Sequence, residues 1–226
     1  VVISDEKLDK ICSYIRKNKQ IRDVLISGGD PLLIETPKLE NIIKKIRQIE
    51  HVEIVRIGTK VPVVLPYRID DELVSMLKKY HPLYISIHFT HPKEITPEVK
   101  EACDKLNNAG IPLGSQTVLL KGINNDAIIL KKLFHELLKI RVKPYYLYQC
   151  DLVRGTSHFW TPVSEGIKII EQLRGFTSGY AIPDFVIDVP GGGGKIAIAP
   201  NNIVESQKNR ILLKNYTGKI FEYPTS

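Results

Sequence analysis

The sequence predicts an α/β fold, a partial (βα) barrel with an appended C-terminal β segment. Three observations carry that reading. Strand-like apolar runs recur about every 30 residues, the length of one βα unit. Helical patterns fill the intervals between them. Each run also ends in glycine or a polar side chain, and delivery of such residues by successive strands to one rim is the barrel arrangement. A doubly wound sheet gathers them near one switch point instead.

The elements follow in order. Ser4-Asp5-Glu6 opens an amphipathic helix carrying Leu8, Ile11 and Ile15. Val24-Leu25-Ile26 is the first strand and ends at Gly28-Gly29-Asp30. Thr36-Pro37 starts a helix, because proline is tolerated in the first turn, and Leu39, Ile42, Ile43 and Ile46 form its apolar face. Glu53-Ile54-Val55 is the second strand, with Arg56 and Gly58 at its end. Leu73, Met76 and Leu77 mark the next helix. Leu83-Tyr84-Ile85-Ser86-Ile87 leads to His88. Thr96-Pro97 starts, and Asn108-Ala109-Gly110 stops, a helix with Val99, Ala102, Cys103 and Leu106. Leu113–Leu119 is a strand carrying Gln116, and Ile129, Leu133 and Leu137 define the helix after it. The fifth strand, residues 143–148, delivers Tyr148 and then Asp151. Beyond about residue 175 the pattern becomes short strands at 180–189, 195–199, 211–213 and 219–223. Two parts are therefore expected: residues 1–174 as the barrel, and residues 175–226 as a β segment closing over its mouth.

Composition narrows the function classes. The 226 residues include 32 Lys+Arg and 25 Asp+Glu, a net charge of +7. The lysines lie at helix-surface spacing among acids, without the basic and aromatic clusters that nucleic-acid binding requires, so no nucleic acid is expected. No apolar run approaches the roughly 18 residues of a membrane span, and no signal-peptide pattern opens the chain. Cys12, Cys103 and Cys150 show no CxxC spacing. They indicate a reducing, cytoplasmic location, and they cannot build a four-cysteine zinc site or a three-cysteine iron–sulfur site. The chain opens on Val1 in mid-pattern and reads as a piece of something longer.

Several strings point to chemistry. Gly28-Gly29-Asp30 allows a backbone to approach a ligand closely and adds an acceptor for an ammonium or hydroxyl; a plain βα turn has the same look. Pro190-Gly191-Gly192-Gly193-Gly194-Lys195 fails the phosphate-loop pattern GxxxxGK[ST], because Val189 and Ile196 stand at required positions. Its reading is either a flexible surface loop or a lysine given room to meet a planar aldehyde cofactor. Asp151 and Asp188 are either caps or a carboxylate pair for a substrate cation. His88 and His91 are too few to be read as a metal site.

The strings Ile26 to Leu33, Val55 to Thr59, Val61 to Pro66, His88 to Pro92, Lys143 to Asp151 and Asp188 to Lys195 together resemble the lysine 2,3-aminomutase family of radical S-adenosylmethionine (SAM) enzymes, which also use pyridoxal phosphate (PLP). The resemblance runs from about residue 20 to the end. It implies that Gly28, Gly29 and Asp30 receive the methionyl amino group of SAM. His88 and Gln116 match positions that contact the same cofactor, and Tyr148 one that lines it. Lys195 matches the lysine that carries PLP, and Asp151 and Asp188 match the carboxylates holding the distal ammonium of lysine. The implied reaction starts from reductive cleavage of SAM to a 5′-deoxyadenosyl radical and moves the substrate amino group from the α- to the β-carbon. In the full-length enzyme a 4Fe-4S cluster, fed by an electron donor, drives that cleavage; its CxxxCxxC ligands are not in this sequence. The chain alone is therefore expected to hold no metal and to be inactive. Asp126 stands where some members have a zinc-binding cysteine. A homo-oligomer is implied. The alternatives are a relative acting on another amino acid or a protein-bound lysyl group, and a non-catalytic remnant.

Overall fold

Alternating side chains decide how the first strands are used. The computed structural model describes residues 3–225 and divides the chain into two compact units. One consists of the chain up to Gln116 with Glu136–Lys143; the other holds Thr117–His135 and everything from Pro144.

In the first unit β1 (Asp23–Ile26), β2 (Ile54–Thr59), β3 (Leu83–His88) and the first part of β4 (Leu113–Leu119) lie parallel in that order. The register pairs Val24 with Val55, Ile57 with Ile85, and His88 with Gln116. Successive side chains point to opposite faces. Val55, Ile57, Ile85, Ile87 and Leu113 are all buried, on the face covered by helices. Arg56, Gly58, Tyr84, Ser86, His88, Gly114 and Gln116 occupy the other face. Small residues meet across it at Gly58, Ser86 and Gly114, one step below the His88–Gln116 pair. One apolar face and one small, polar face suit a sheet that curves around a ligand; a doubly wound sheet is apolar on both.

The covering helices are α1 (Asp5–Lys17), α2 (Thr36–Arg47), α3 (Val61–Val64), α4 (Asp71–Lys78) and α5 (Pro97–Asn108). The start signals work as expected. Ser4 caps α1 by accepting from the Lys7 N–H, Asp70 caps α4 at 2.8 Å, and Thr96 caps α5. Gly110 follows α5 at φ 79°, the left-handed conformation that closes a helix. Leu39, Ile42, Ile43 and Ile46 of α2 are buried, each such side chain worth about 1.5–3 kcal/mol of transfer free energy.

In the second unit, which takes in most of α6 (Ala127–Lys139) and β5 (Val142–Gln149), β6 (Asp184–Val189) pairs parallel with β5. The βα alternation thus runs one strand further than the spacing indicates, through α7 (Val163–Leu173). This helix went unpredicted because Gly166 interrupts it. Glycine is required there: a Cβ on Gly166 would lie 2.3 Å from the Phe185 ring. The strand expected over 180–189 begins only at Asp184, since Gly179–Ala181 form a single 3-10 turn. β7 (Gly194–Ala197) turns back antiparallel on β6. β8 (Ile203–Gln207), β9 (Arg210–Lys214) and β10 (Ile220–Pro224) form a separate antiparallel sheet. β8 was not anticipated: an irregularity between Ile203 and Glu205 breaks its alternation. Among the described residues, no helix is long and apolar enough to cross a membrane.

Candidate functional site

The loop after β1 is built by its aspartate. Asp30 accepts from the Thr59 hydroxyl and the Lys60 N–H at 2.6 Å each, and from the Leu32 N–H at 3.1 Å. Its carboxylate thereby ties the loop to the end of β2. What the loop offers outward is backbone: a Cβ placed on Gly28 or Gly29 would meet nothing within 4 Å, and Gly28 has φ +101°. This open cradle fits a ligand that hydrogen-bonds to main-chain groups.

At the next strand ends His88 and Gln116 stand side by side in register, and the Phe89 N–H donates to the Gln116 carbonyl at 3.1 Å. Lost hydration pushes the His88 imidazole below its usual pKa. The Lys60 ammonium adds to that effect, and the Asp30 carboxylate opposes it. The shift favours the neutral ring, in which one nitrogen donates and the other accepts. Lys60 Nζ donates to the His88 carbonyl at 3.2 Å and to Glu94 at 2.9 Å. His91, by contrast, caps a turn: its Nδ1 accepts from the Lys93 N–H at 3.2 Å. Among the described residues no three His, Cys, Asp or Glu side chains are grouped to hold a metal ion.

The second unit holds the remaining predicted residues. β6 and β7 place Asp188 opposite Lys195, whose Nζ donates to Oδ2 at 2.9 Å; the same Nζ lies 5.7 Å from the centre of the Tyr148 ring. The glycine run is the turn between these strands. Gly191, Gly192 and Gly194 have φ of 77°, 84° and 73°, and a Cβ on any of them would meet nothing within 4 Å. Lys195 is half-exposed, so the amine is reachable, and the turn before it carries no side chains, which fits attachment of a bulky aldehyde. Asp151 and Asp188 line one cavity of about 620 Å³, together with Val153, Val163, Ile187 and Val189. Apolar walls with two carboxylates suit an aliphatic stem ending in a cation. Asp151 holds Trp160 Nε1 through its backbone carbonyl at 3.1 Å, which leaves its carboxylate for other partners.

The structure thus brings Asp30, His88 and Gln116 together in one unit, and Tyr148, Asp151, Asp188 and Lys195 in the other. Thr59, Lys60 and Glu94 were not foreseen. The only signal for Lys60 is its position between two familiar strings. All three cysteines are buried, and burial pushes the Cys103 thiol up to about 12.

The family model of the radical SAM superfamily matches residues 1–130, and one described as lysine-2,3-aminomutase matches residues 170–226. An L-lysine 2,3-aminomutase of Fusobacterium nucleatum is 56% identical over 218 residues, which cover 96% of this chain and 51% of that protein. A glutamate 2,3-aminomutase of Clostridioides difficile is 52% identical, over 92% of this chain and 50% of that protein. The chain spans about half the length of the curated relatives it matches. Among solved structures, native anSMEcpe with bound AdoMet and Cp18Cys peptide matches with a TM-score of 0.60 at 13% identity, over 76% of this chain and 51% of that one. That likeness concerns the fold.

Proposed function

This chain belongs to the radical SAM superfamily, with the partial (βα) barrel fold class its sequence predicts, and we propose that it forms part of a lysine 2,3-aminomutase, an isomerase interconverting L-lysine and β-lysine. The observation that carries this reading is the cavity of the second unit, where Asp151 and Asp188 share apolar walls and Asp188 pairs with Lys195. A cation brought there keeps its counter-charge, and a substrate ending in a carboxylate is repelled. That charge pattern favours lysine over glutamate.

Each residue then has a task. Asp30 shapes the loop whose Gly28 and Gly29 backbone meets the amino end of SAM. His88 and Gln116 hold the same cofactor by hydrogen bonds from a neutral ring and an amide, and Tyr148 flanks Lys195. Lys195 holds PLP, for which its reachable amine and the side-chain-free turn leave room. Asp151 and Asp188 bind the distal ammonium and fix the reach of the substrate, so that positioning lowers the entropic part of the barrier. When bound, SAM with a 4Fe-4S cluster supplies the hydrogen-abstracting radical, and PLP supplies the π-system for amino migration. In this reading residues 1–174 are barrel core and residues 175–226 the segment carrying the PLP lysine. The protein is cytoplasmic and homo-oligomeric, and the enzyme it forms part of would draw on an external electron donor.

The test is product analysis. The chain joined to the cluster-bearing region of a relative, supplied with SAM, PLP and reductant, should convert lysine to β-lysine and leave glutamate unchanged. β-Glutamate as the main product would refute the assignment.

A further inference from the structure

We propose that Lys60, at the end of β2, is a positioning residue for the SAM-side floor: it locks the Gly28-Gly29-Asp30 loop to the end of β3 and sets the place of His88. The inference rests on the SAM-side assignment made above for Gly28, Gly29 and His88.

Three strand ends converge on this one residue. Its backbone N–H donates to Asp30 at 2.6 Å, which anchors the loop after β1. Its ammonium donates to the His88 carbonyl at 3.2 Å, at the end of β3. The same ammonium pairs with Glu94 Oε1 at 2.9 Å, while Glu94 Oε2 accepts the N–H groups of Thr90 and His91 at 2.6 and 3.2 Å. Lys60 therefore grips the backbone on both sides of Phe89, directly through His88 and indirectly through Glu94. The pair is partly buried, with side-chain exposures of 36% and 24%, so it is screened less than an ordinary surface bridge. A lysine that only filled space would need none of these contacts.

The charge matters as well as the reach. The charged groups acting on the His88 ring are the Lys60 ammonium, which disfavours the imidazolium, and the Asp30 carboxylate, which favours it; Glu94 tempers Lys60. Lost hydration is the larger cause of the lowered His88 pKa, and Lys60 adds to it, favouring the neutral ring with its one acceptor nitrogen. Without Lys60, the balance tips toward Asp30, and the strand end loses its tether at the same time.

The decisive experiment follows the His88 ring by NMR in the isotope-labelled full chain, in wild type and in Lys60→Met, Lys60→Arg and Glu94→Gln, with SAM titrated into each. Lys60→Met should raise the His88 pKa, Lys60→Arg should hold it near wild type, and Glu94→Gln should move it further down. SAM affinity should fall about tenfold or more in Lys60→Met and recover in Lys60→Arg. A residue with a merely structural role would lower stability without driving one pKa in opposite directions in two variants. If Lys60→Met does not fold, Lys60→Arg and Glu94→Gln carry the test, and an unmoved His88 in Glu94→Gln overturns the proposal. An unchanged His88 pKa, or wild-type SAM affinity, in a folded Lys60→Met overturns it too. If SAM perturbs none of Gly28, Gly29 and His88 in the wild type while the pKa still moves, the SAM-side assignment falls and the Lys60 clamp stands.

Discussion

Asp188 and Lys195 face each other across the β6–β7 hairpin, with Lys195 Nζ 2.9 Å from Asp188 Oδ2. Seven residues apart in sequence, they become neighbours because four glycines turn the chain between them. One carboxylate that the proposed function gives to a substrate cation is thus held by the chain's own ammonium. Among the described residues, no ammonium pairs with the carboxylate of Asp151, which lines the same cavity.

Trapping tests the lysine. PLP added to the chain and reduced with borohydride should leave a pyridoxyl group on Lys195, read by peptide mass spectrometry. Asp188→Asn should still be labelled there, since the amine remains and loses only its counter-charge. Dominant labelling of another lysine would overturn the assignment.

Substrate charge tests the carboxylates. In an active enzyme containing this region, Asp151→Asn and Asp188→Asn should each lower kcat/KM for lysine at least about tenfold, the factor that corresponds to roughly 1.4 kcal/mol. Asparagine keeps size and one acceptor, so a loss this large reports charge. SAM cleavage without lysine should persist in both. Wild-type turnover in both variants would make the two residues structural.

Gly166→Ala should destabilise the second unit. The new methyl would overlap the buried Phe185 ring, and overpacking of this kind costs about 1–3 kcal/mol. The gain in helix propensity, about 1 kcal/mol, offsets part of it. Urea unfolding measures the net loss. Phe185→Leu in the same chain should lessen the penalty of Gly166→Ala, and strict additivity would show that the two do not touch.

Acid should weaken the fold through His88. Its folded pKa lies below the ordinary 6.5, so between those two values the unfolded chain binds more protons. The stability His88 contributes is complete above about pH 6.5 and is lost as pH falls through the lowered folded value. The stability of wild type relative to His88→Gln should therefore shrink from about pH 7.5 to about pH 5. A constant difference would show that the ring is not held neutral.

The alternation of strand and helix was legible because it depends on local periodicity. The caps at Ser4 and Thr96 and the stop at Gly110 depend on one turn of chain, and all three were readable. α7 and β8 were not, because their local patterns are broken by Gly166 and by a register irregularity, and packing restores them. Asp30 was visible as a candidate acceptor, but the donors its carboxylate meets within the fold, from Thr59, Lys60 and Leu32, were not. No spacing rule announces a partner 30 residues away.

By itself the sequence determined the residue types available for chemistry: a lysine behind four glycines, one carboxylate seven residues before it and another after the fifth strand, a histidine and a glutamine at neighbouring strand ends. These follow from order along the chain and from the two-residue period of strands. Tertiary structure decided which charges meet. Parallel register sets His88 beside Gln116, the hairpin sets Lys195 on Asp188, and β2 brings Lys60 to Asp30, Glu94 and the end of β3. Electrostatic and hydrogen-bond energies fall off with distance in space, and only the folded backbone turns separation along the chain into such distances.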